Sequence, residues 1–244
     1  MIHDLRKVTI VVVARMSSSR LPGKTLMSLA HRPVLGRVVN RVEQSHEADG
    51  VLVATSTDPS DDPIAEWSRE AGMHCFRGSL ANVALRVLKA GKEAGAKGIV
   101  RVSADSPFID PAIIDHAIRL FRRSEVDLVT NVFPRTFPKG ESVEVIAIEA
   151  LNRVLEEGLS PAQEEHVTKV FYDRAKRFRI VNFRVDDLTD TTQGDHSAVQ
   201  LSVDSEDDWV TAQAVAHSLG THLDDASWIE IESAWRSIAK GRES

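Results

Sequence analysis

Seven consecutive residues, Val8 to Ala14 (VTIVVVA), carry no charge and are almost all β-branched. Such a run is the pattern of a strand buried on both faces, and so of a sheet covered by helices on each side. The next segment changes character. Met16 to Lys24 (MSSSRLPGK) is a loop of Ser, Gly and Pro, and Pro33 then opens a helix whose Val34, Leu35, Val38, Val39 and Val42 share one face. Strand, loop and helix form one β-α unit, and the unit recurs. Gly50 to Ser56 reads as a strand, and Asp62-Pro63 starts a helix through Ala71 that Gly72 stops. Met73 to Phe76 is a short strand, Asn82 to Ala94 a helix ended by Gly95, and Gly98 to Ala104 a strand. Pro111 to Arg123 follows as a helix and Val126 to Asn131 as a strand. This alternation predicts an α/β domain with a mostly parallel central sheet.

The period then breaks. Phe133 to Lys139 (FPRTFPK) is too irregular for an element, while Val143 to Ile148 and Phe178 to Val185 read as strands. Glu149 to Glu157 and Gln163 to Ala175 are expected helices between them. Within a single domain spanning 1–244, residues 133–186 are therefore expected to form a subdomain inserted in the sheet's sequence order. Asp186 to His196 reads as a mobile surface loop, Val199 to Val203 as a strand, and Asp207 to Leu219 and Asp225 to Lys240 as closing helices.

Charge narrows the function. The chain holds 30 basic against 36 acidic residues, a net charge of −6, which argues against coating nucleic acid by bulk charge. Its distribution is uneven, because Leu5 to Val42 contains no Asp or Glu but has Arg6, Lys7, Arg15, Arg20, Lys24, Arg32, Arg37 and Arg41. An acidic protein with one basic segment is expected to hold a small polyanion locally. Cys75 is the sole cysteine, so a reducing compartment is expected, and the early apolar run is far shorter than a membrane span. The chain is read as cytoplasmic, with no membrane or nucleic-acid partner.

In open α/β sheets ligands sit at the carboxyl ends of strands. The loop after the first strand offers Arg15, Arg20 and Lys24 with Ser17, Ser18, Ser19 and Gly23, a set suited to a triphosphate. Gly23-Lys24-Thr25 is not a Walker loop, since Ser18 stands where that pattern needs glycine. Asp105 and Asp204 each end an expected strand. Two carboxylates there suit Mg²⁺ as well as they suit helix capping, a role Asp110 shares. In the inserted segment Arg135, Glu144, Glu165 and His166 could grip a second substrate, although a lone histidine is more often an ordinary surface residue. Cys75 and the tryptophans at 67, 209, 228 and 235 read as core.

Taken in order, these motifs resemble a family. Ala14 to Lys24 (ARMSSSRLPGK) is similar to the opening signature of the CMP-sugar synthetases, the cytidylyltransferases of 3-deoxy-manno-octulosonate and sialic acids. It is most similar to the group of spore coat polysaccharide biosynthesis proteins. The resemblance continues through Val53-Ala54-Thr55-Ser56, Phe76-Arg77-Gly78-Ser79, Arg101 to Pro107 (RVSADSP), Pro134 to Pro138 (PRTFP), Val143-Glu144-Val145, Glu165-His166-Val167-Thr168 and Val203-Asp204-Ser205. It implies a Rossmann-like nucleotidyltransferase fold, CTP as donor, Mg²⁺ as cofactor, and a homodimer built through the inserted subdomain. By position it implies that Arg15, Arg20 and Lys24 hold the triphosphate, and that Asp105 and Asp204 bind the metal. Ala14, Met16, Ser17, Ser18 and Ser103 fall in its nucleotide-binding motifs, with Thr55, Ser56 and Arg77 near the base. The implied reaction is CMP transfer to an acidic or phosphorylated sugar-like acceptor held by Arg135, Glu144, Glu165 and His166. A different nucleoside triphosphate, or nucleotide binding without turnover, are the competing readings. Ala104, where the family usually has Gly, and Asn82 and Leu85, where it has an acidic pair, are departures.

Overall fold

The opening apolar run becomes a central strand. In the computed structural model, which describes residues 6–188 and 194–242, β1 (Val8–Val13) alternates its side chains between two cores. Two short strands, β2 (Ser28–Leu29) and β3 (Arg32–Pro33), form a hairpin that leads into α1 (Val34–Val42). The recurring units follow as β4 (Gly50–Ser56), α2 (Asp62–Glu70), β5 (Cys75–Gly78), α3 (Val83–Glu93), β6 (Gly98–Ser103), α4 (Pro111–Arg123) and β7 (Leu128–Thr130). Then come β8 (Glu144–Ala147), α5 (Ile148–Glu157), α6 (Pro161–Glu165), α7 (Lys169–Asp173), β9 (Ile180–Asn182), α8 (Glu206–Leu219) and α9 (Trp228–Arg242).

The seven-stranded sheet runs β5-β4-β1-β6-β8-β7-β9. Only β8 is antiparallel to its neighbours, as the mostly parallel alternation predicts. Its reversed direction has a local effect: Glu144, the first residue of β8, lies at the carboxyl edge of the sheet, level with Arg101 of β6 and Thr130 of β7. Residues 133–186 thus contribute β8 and β9 to the same sheet. Val8, Ile10 and Val12 pack toward α1 and α4 on one face, and Val11 and Val13 pack toward α3 and α5 on the other. The tryptophans pack in or against the cores, and so does Cys75.

Three expectations need correction. The strand at Met73 to Phe76 forms two residues later, at Cys75–Gly78. Gln163 to Ala175 is not one helix, because His166 leaves helical geometry (φ −104°, ψ 87°) and separates α6 from α7. The apolar spacing of Val167, Val170 and Phe171 continues across the break, since all three still face the core. Val199 to Val203 is not a strand either. It crosses the sheet's end as irregular chain, with Leu201 N donating to Lys139 O (2.7 Å) and Val203 N to Asp105 O (2.8 Å). Gly140 permits this crossing: its φ is +108°, and a Cβ there would lie 2.7 Å from Ser202 N. Residues 189–193 of the expected surface loop lie outside the described residues.

A buried polar cluster pins the same region. Arg41 donates to the carbonyls of Ile109, Leu223 and Ala226, and Asp110 caps α4 while accepting from Trp228 N (2.8 Å). Glu141, fully buried beside Asp110, accepts from Asp110 N (2.8 Å), and its Oε1 has no partner.

Candidate active site

The carboxyl ends of β1 and β6 open onto a cleft, and the first loop forms its rim. Ala14 N donates to Ala54 O (3.1 Å), and Met16 N to Oδ1 of the buried Asp61 (2.6 Å). Thr25 Oγ1 closes the loop onto Arg15 O (2.7 Å). Gly23, at φ +74°, supplies the left-handed turn that brings Lys24 back into the cleft. Arg15, Ser17, Ser18 and Arg20 line the rim, and Ala14, Ser103, Asp105 and Asp204 line the interior.

Lys24 is the centre of this arrangement. Its buried ammonium donates to Asp105 Oδ2 (2.8 Å), Asp204 Oδ1 (2.9 Å) and Val203 O (2.7 Å), so all three N–H groups are engaged. Arg20 lies 3.2 Å from the same Asp204 oxygen. Burial pushes the Asp204 carboxyl up, but its bonds to Lys24 and Ser202 and the charges of Lys24 and Arg20 outweigh this and hold it below the usual value. Ser205, not Asp204, caps α8, which frees Asp204 for the cleft. The pair already converges on one cation, and its donors are hard oxygens of the kind a divalent ion prefers. Among the described residues no cluster of three or more His, Cys, Asp or Glu side chains forms a metal site. Two carboxylates completed by phosphate oxygens and water fit Mg²⁺ better than an all-protein cage does.

Two side chains of the wall escape the sequence reading. Arg86 of α3 is 1% exposed, and it donates from Nη1 to Ser79 O (2.6 Å) while Nε and Nη2 have no partner. Burial lowers its pKa, against the opposing charge of Asp61. Arg101 of β6 also lines the cleft. The available signal was a charged residue in the middle of an otherwise apolar central strand.

A second cavity adjoins the first, with Arg101 and His166 lining both. Arg135 and Glu144 line the second cavity, and Glu165 lines the first. Arg135 Nη2 donates to Ser142 Oγ (2.9 Å), and burial lowers its pKa despite the nearby Glu144 charge. Tyr172 donates a very short hydrogen bond to Glu144 and lies 2.9 Å from Thr130 Oγ1. Burial and the Glu144 charge push the Tyr172 phenol far above its ordinary value. Glu165 is paired with Arg15 (2.6 Å), and Glu164 accepts from Asn82 Nδ2 (2.8 Å), which ties α6 across the cleft.

Other candidates stand apart. Thr55 and Ser56 are fully buried on β4, with Ser56 Oγ donating to Asp61 (2.5 Å), and Arg77 is held by Ser56 O (2.8 Å) and Asp62 (2.6 Å); none of the three lines the cleft. Met16 packs against the core. Of the eight basic residues near the N-terminus, only Arg15, Arg20 and Lys24 reach the cleft. Arg37 is engaged with Asp224 (2.5 Å), and Arg6, Lys7 and Arg41 bond backbone carbonyls. Asn82 is the cap of α3, accepting from Leu85 N (2.7 Å), and its amide donates to Glu164, a bond that a carboxylate at 82 could not make.

The chain is similar to known proteins along most of its length. A family model described as cytidylyltransferase matches residues 9–213. The spore coat polysaccharide biosynthesis protein SpsF of Bacillus subtilis is 26% identical over 224 residues, 90% of each chain. A cytidylyltransferase structure from Leptospira borgpetersenii superposes with a TM-score of 0.88 at 26% identity, covering 97% of this chain and 96% of that one. The fold is shared more distantly with CMP:2-keto-3-deoxy-manno-octonic acid synthetase solved with CTP, at a TM-score of 0.67 and 17% identity over 87% of this chain and 99% of the other. No helix among the described residues is long and apolar enough to cross a membrane.

Proposed function

Because this chain belongs to the cytidylyltransferase family, whose model it matches from residue 9 to residue 213, we propose that it transfers CMP from CTP to an acidic or phosphorylated sugar-like acceptor, making an activated precursor for surface glycans. The observation that carries this reading is the convergence of Arg20 and Lys24 with Asp105 and Asp204 in one cleft. An acceptor oxygen bonds to the α-phosphorus while the bond from that phosphorus to the α,β-bridging oxygen breaks. Pyrophosphate leaves with the electron pair. The acceptor hydroxyl loses its proton to Asp105 Oδ1, which among the described residues accepts one long hydrogen bond, from Ser106 Oγ at 3.5 Å. Arg15, Arg20 and Lys24 neutralise the triphosphate and the leaving pyrophosphate, the main demand of such a reaction. Asp105 and Asp204 would hold a divalent cation, Mg²⁺ by donor hardness, which when bound neutralises phosphate charge and polarises the phosphoryl group.

The acceptor belongs to the second cavity. Arg135 and Glu144 would hold it there, with Glu165 and His166 at the boundary, and a guanidinium suits a carboxylate or phosphate. A homodimer through residues 133–186 is part of the same reading, supported by Phe133, an apolar side chain left 45% exposed. So is a cytoplasmic location, where CTP is available. The test is pyrophosphate release with CTP, ATP, GTP and UTP in turn, with Mg²⁺, against a panel of acidic sugars and sugar phosphates. All four nucleotides are needed because Thr55, Ser56 and Arg77 do not line the cleft. Release with CTP and one acceptor supports the reading. Preference for another nucleotide, or CTP binding with no release from any acceptor, overturns it.

A further inference from the structure

Arg101 faces one carboxylate but is hydrogen-bonded to none among the described residues. Its side chain is 28% exposed, its Nε is buried without a partner, and among the described residues it makes no hydrogen bond. Its nearest opposite charge is Glu144 Oε2 at 3.7 Å, too far for a hydrogen bond. Glu144 is itself immobilised by the short bond from Tyr172. Arg101, Glu144 and Thr130 lie along one row of the sheet, since Arg101 pairs with Glu144 across β6 and β8 and Glu144 with Thr130 across β8 and β7; Tyr172 reaches this row from α7.

The position of this row matters as much as its bonding. Arg101 lines both the nucleotide cleft and the second cavity. In a group transfer between ligands in adjoining cavities, the atom that changes partners passes their common wall. Arg15, Arg20 and Lys24 each already have a carboxylate in contact, within 3.2 Å. The terminal Nη groups of Arg101 make no hydrogen bond among the described residues, and a guanidinium fork matches two oxygens of one phosphoryl group.

We propose that Arg101 is a catalytic residue that grips the non-bridging oxygens of the α-phosphate and stabilises the charge that develops on them during transfer. Glu144 and Tyr172 are positioning residues that fix its guanidinium at the wall. The inference rests on the nucleotidyl-transfer reading above, but its test separates the two. Calorimetric titrations of wild type, Arg101→Met and Arg101→Lys use cytidine, CMP, inorganic pyrophosphate and CTP. CMP carries only the α-phosphate, pyrophosphate stands for the β- and γ-phosphates, and cytidine has neither. Arg101→Met is expected to weaken CMP about tenfold or more, in line with loss of a charged hydrogen-bond pair. Cytidine and pyrophosphate should stay within about twofold of wild type, with Arg101→Lys intermediate for CMP. Turnover should fall by about a hundredfold, more than KM for CTP changes. Wild type that binds neither CTP nor CMP refutes the nucleotidyl-transfer reading itself. Wild type that binds them, with variants that bind CMP as well as it does, refutes the Arg101 assignment alone. A parallel loss of cytidine and pyrophosphate does the same, by making the role structural. If Arg101→Met fails to fold because Glu144 is left unpaired, Arg101→Lys carries the test, with a CMP loss of about threefold or more expected.

Discussion

Replacing Lys24 with methionine removes one cation from between two carboxylates while nearly keeping its volume. At 2.8 Å and 2.9 Å the ammonium attracts each oxygen by roughly 6 kcal/mol before desolvation, taking an effective dielectric of about 20. Desolvation cancels most of that attraction. What the variant retains is the mutual repulsion of the carboxylates, about 3 kcal/mol at a separation of roughly 5 Å in the same medium. Breaking a buried ion pair costs about 3–5 kcal/mol, and the figure falls here because the side chains of Asp105 and Asp204 are 23% and 27% exposed and Arg20 remains beside Asp204. Lys24→Met should therefore lose about 1–3 kcal/mol in denaturant unfolding with chelator present. A divalent ion can take the vacated place. Mn²⁺ without nucleotide should bind the variant at least about tenfold more tightly than wild type, and saturation at about 100 Kd should return roughly 2.7 kcal/mol of stability. Equal Mn²⁺ affinity in the two proteins, or unfolding that shifts by less than about 0.3 kcal/mol, would show that the ammonium and the metal do not compete for one pair.

Gly140→Ala should destabilise by about 2 kcal/mol or more, because φ is +108° and the new Cβ meets the backbone at Ser202 N; loss of nucleotide affinity with it would be read in the same titrations. Burial and Asp110 push Glu141 up to about 8, so this acid is protonated in the fold where the unfolded chain has already ionised. A raised acid contributes stability that is full below the ordinary glutamate range and is lost as pH rises through about 8. Thermal unfolding across that window should decline in wild type and flatten in Glu141→Gln, and identical slopes would refute the assignment. Asn82→Ala removes the cap of α3 and the tie to Glu164, and should cost about 1 kcal/mol in denaturant unfolding.

Most of the sheet was legible because its strands and helices carry complete local signals. Asp110 with Pro111 starts α4 where the capping rules put it, and the uncharged run of β1 could only be buried. Legibility fails where one pattern serves another purpose. Val199 to Val203 has the apolar content of a strand, yet its bonds go to Lys139 and Asp105, partners distant in sequence. The break at His166 is invisible because apolar residues keep helical spacing through it. For Asp204, spacing left capping and cation binding equal, and only the capping of α8 by Ser205 separates them. Arg86 and Arg101 were hidden inside an amphipathic helix and a strand, where one charge looks like an interruption. The cation-rich loop was legible as a unit, but the reach of Lys24 to Asp105 and Asp204, 81 and 180 positions away, was not.

The crossing at the sheet's end also orders events in time. Synthesis delivers the N-terminal loop and Asp105 long before Asp204, which arrives on a segment fastened by Val203 N to Asp105 O and by Lys139. A nascent chain that has not yet emerged past Val203 carries the whole basic loop but only half of the acidic pair. The bond from Lys24 to Asp204 therefore forms only when synthesis has reached about the last sixth of the polypeptide.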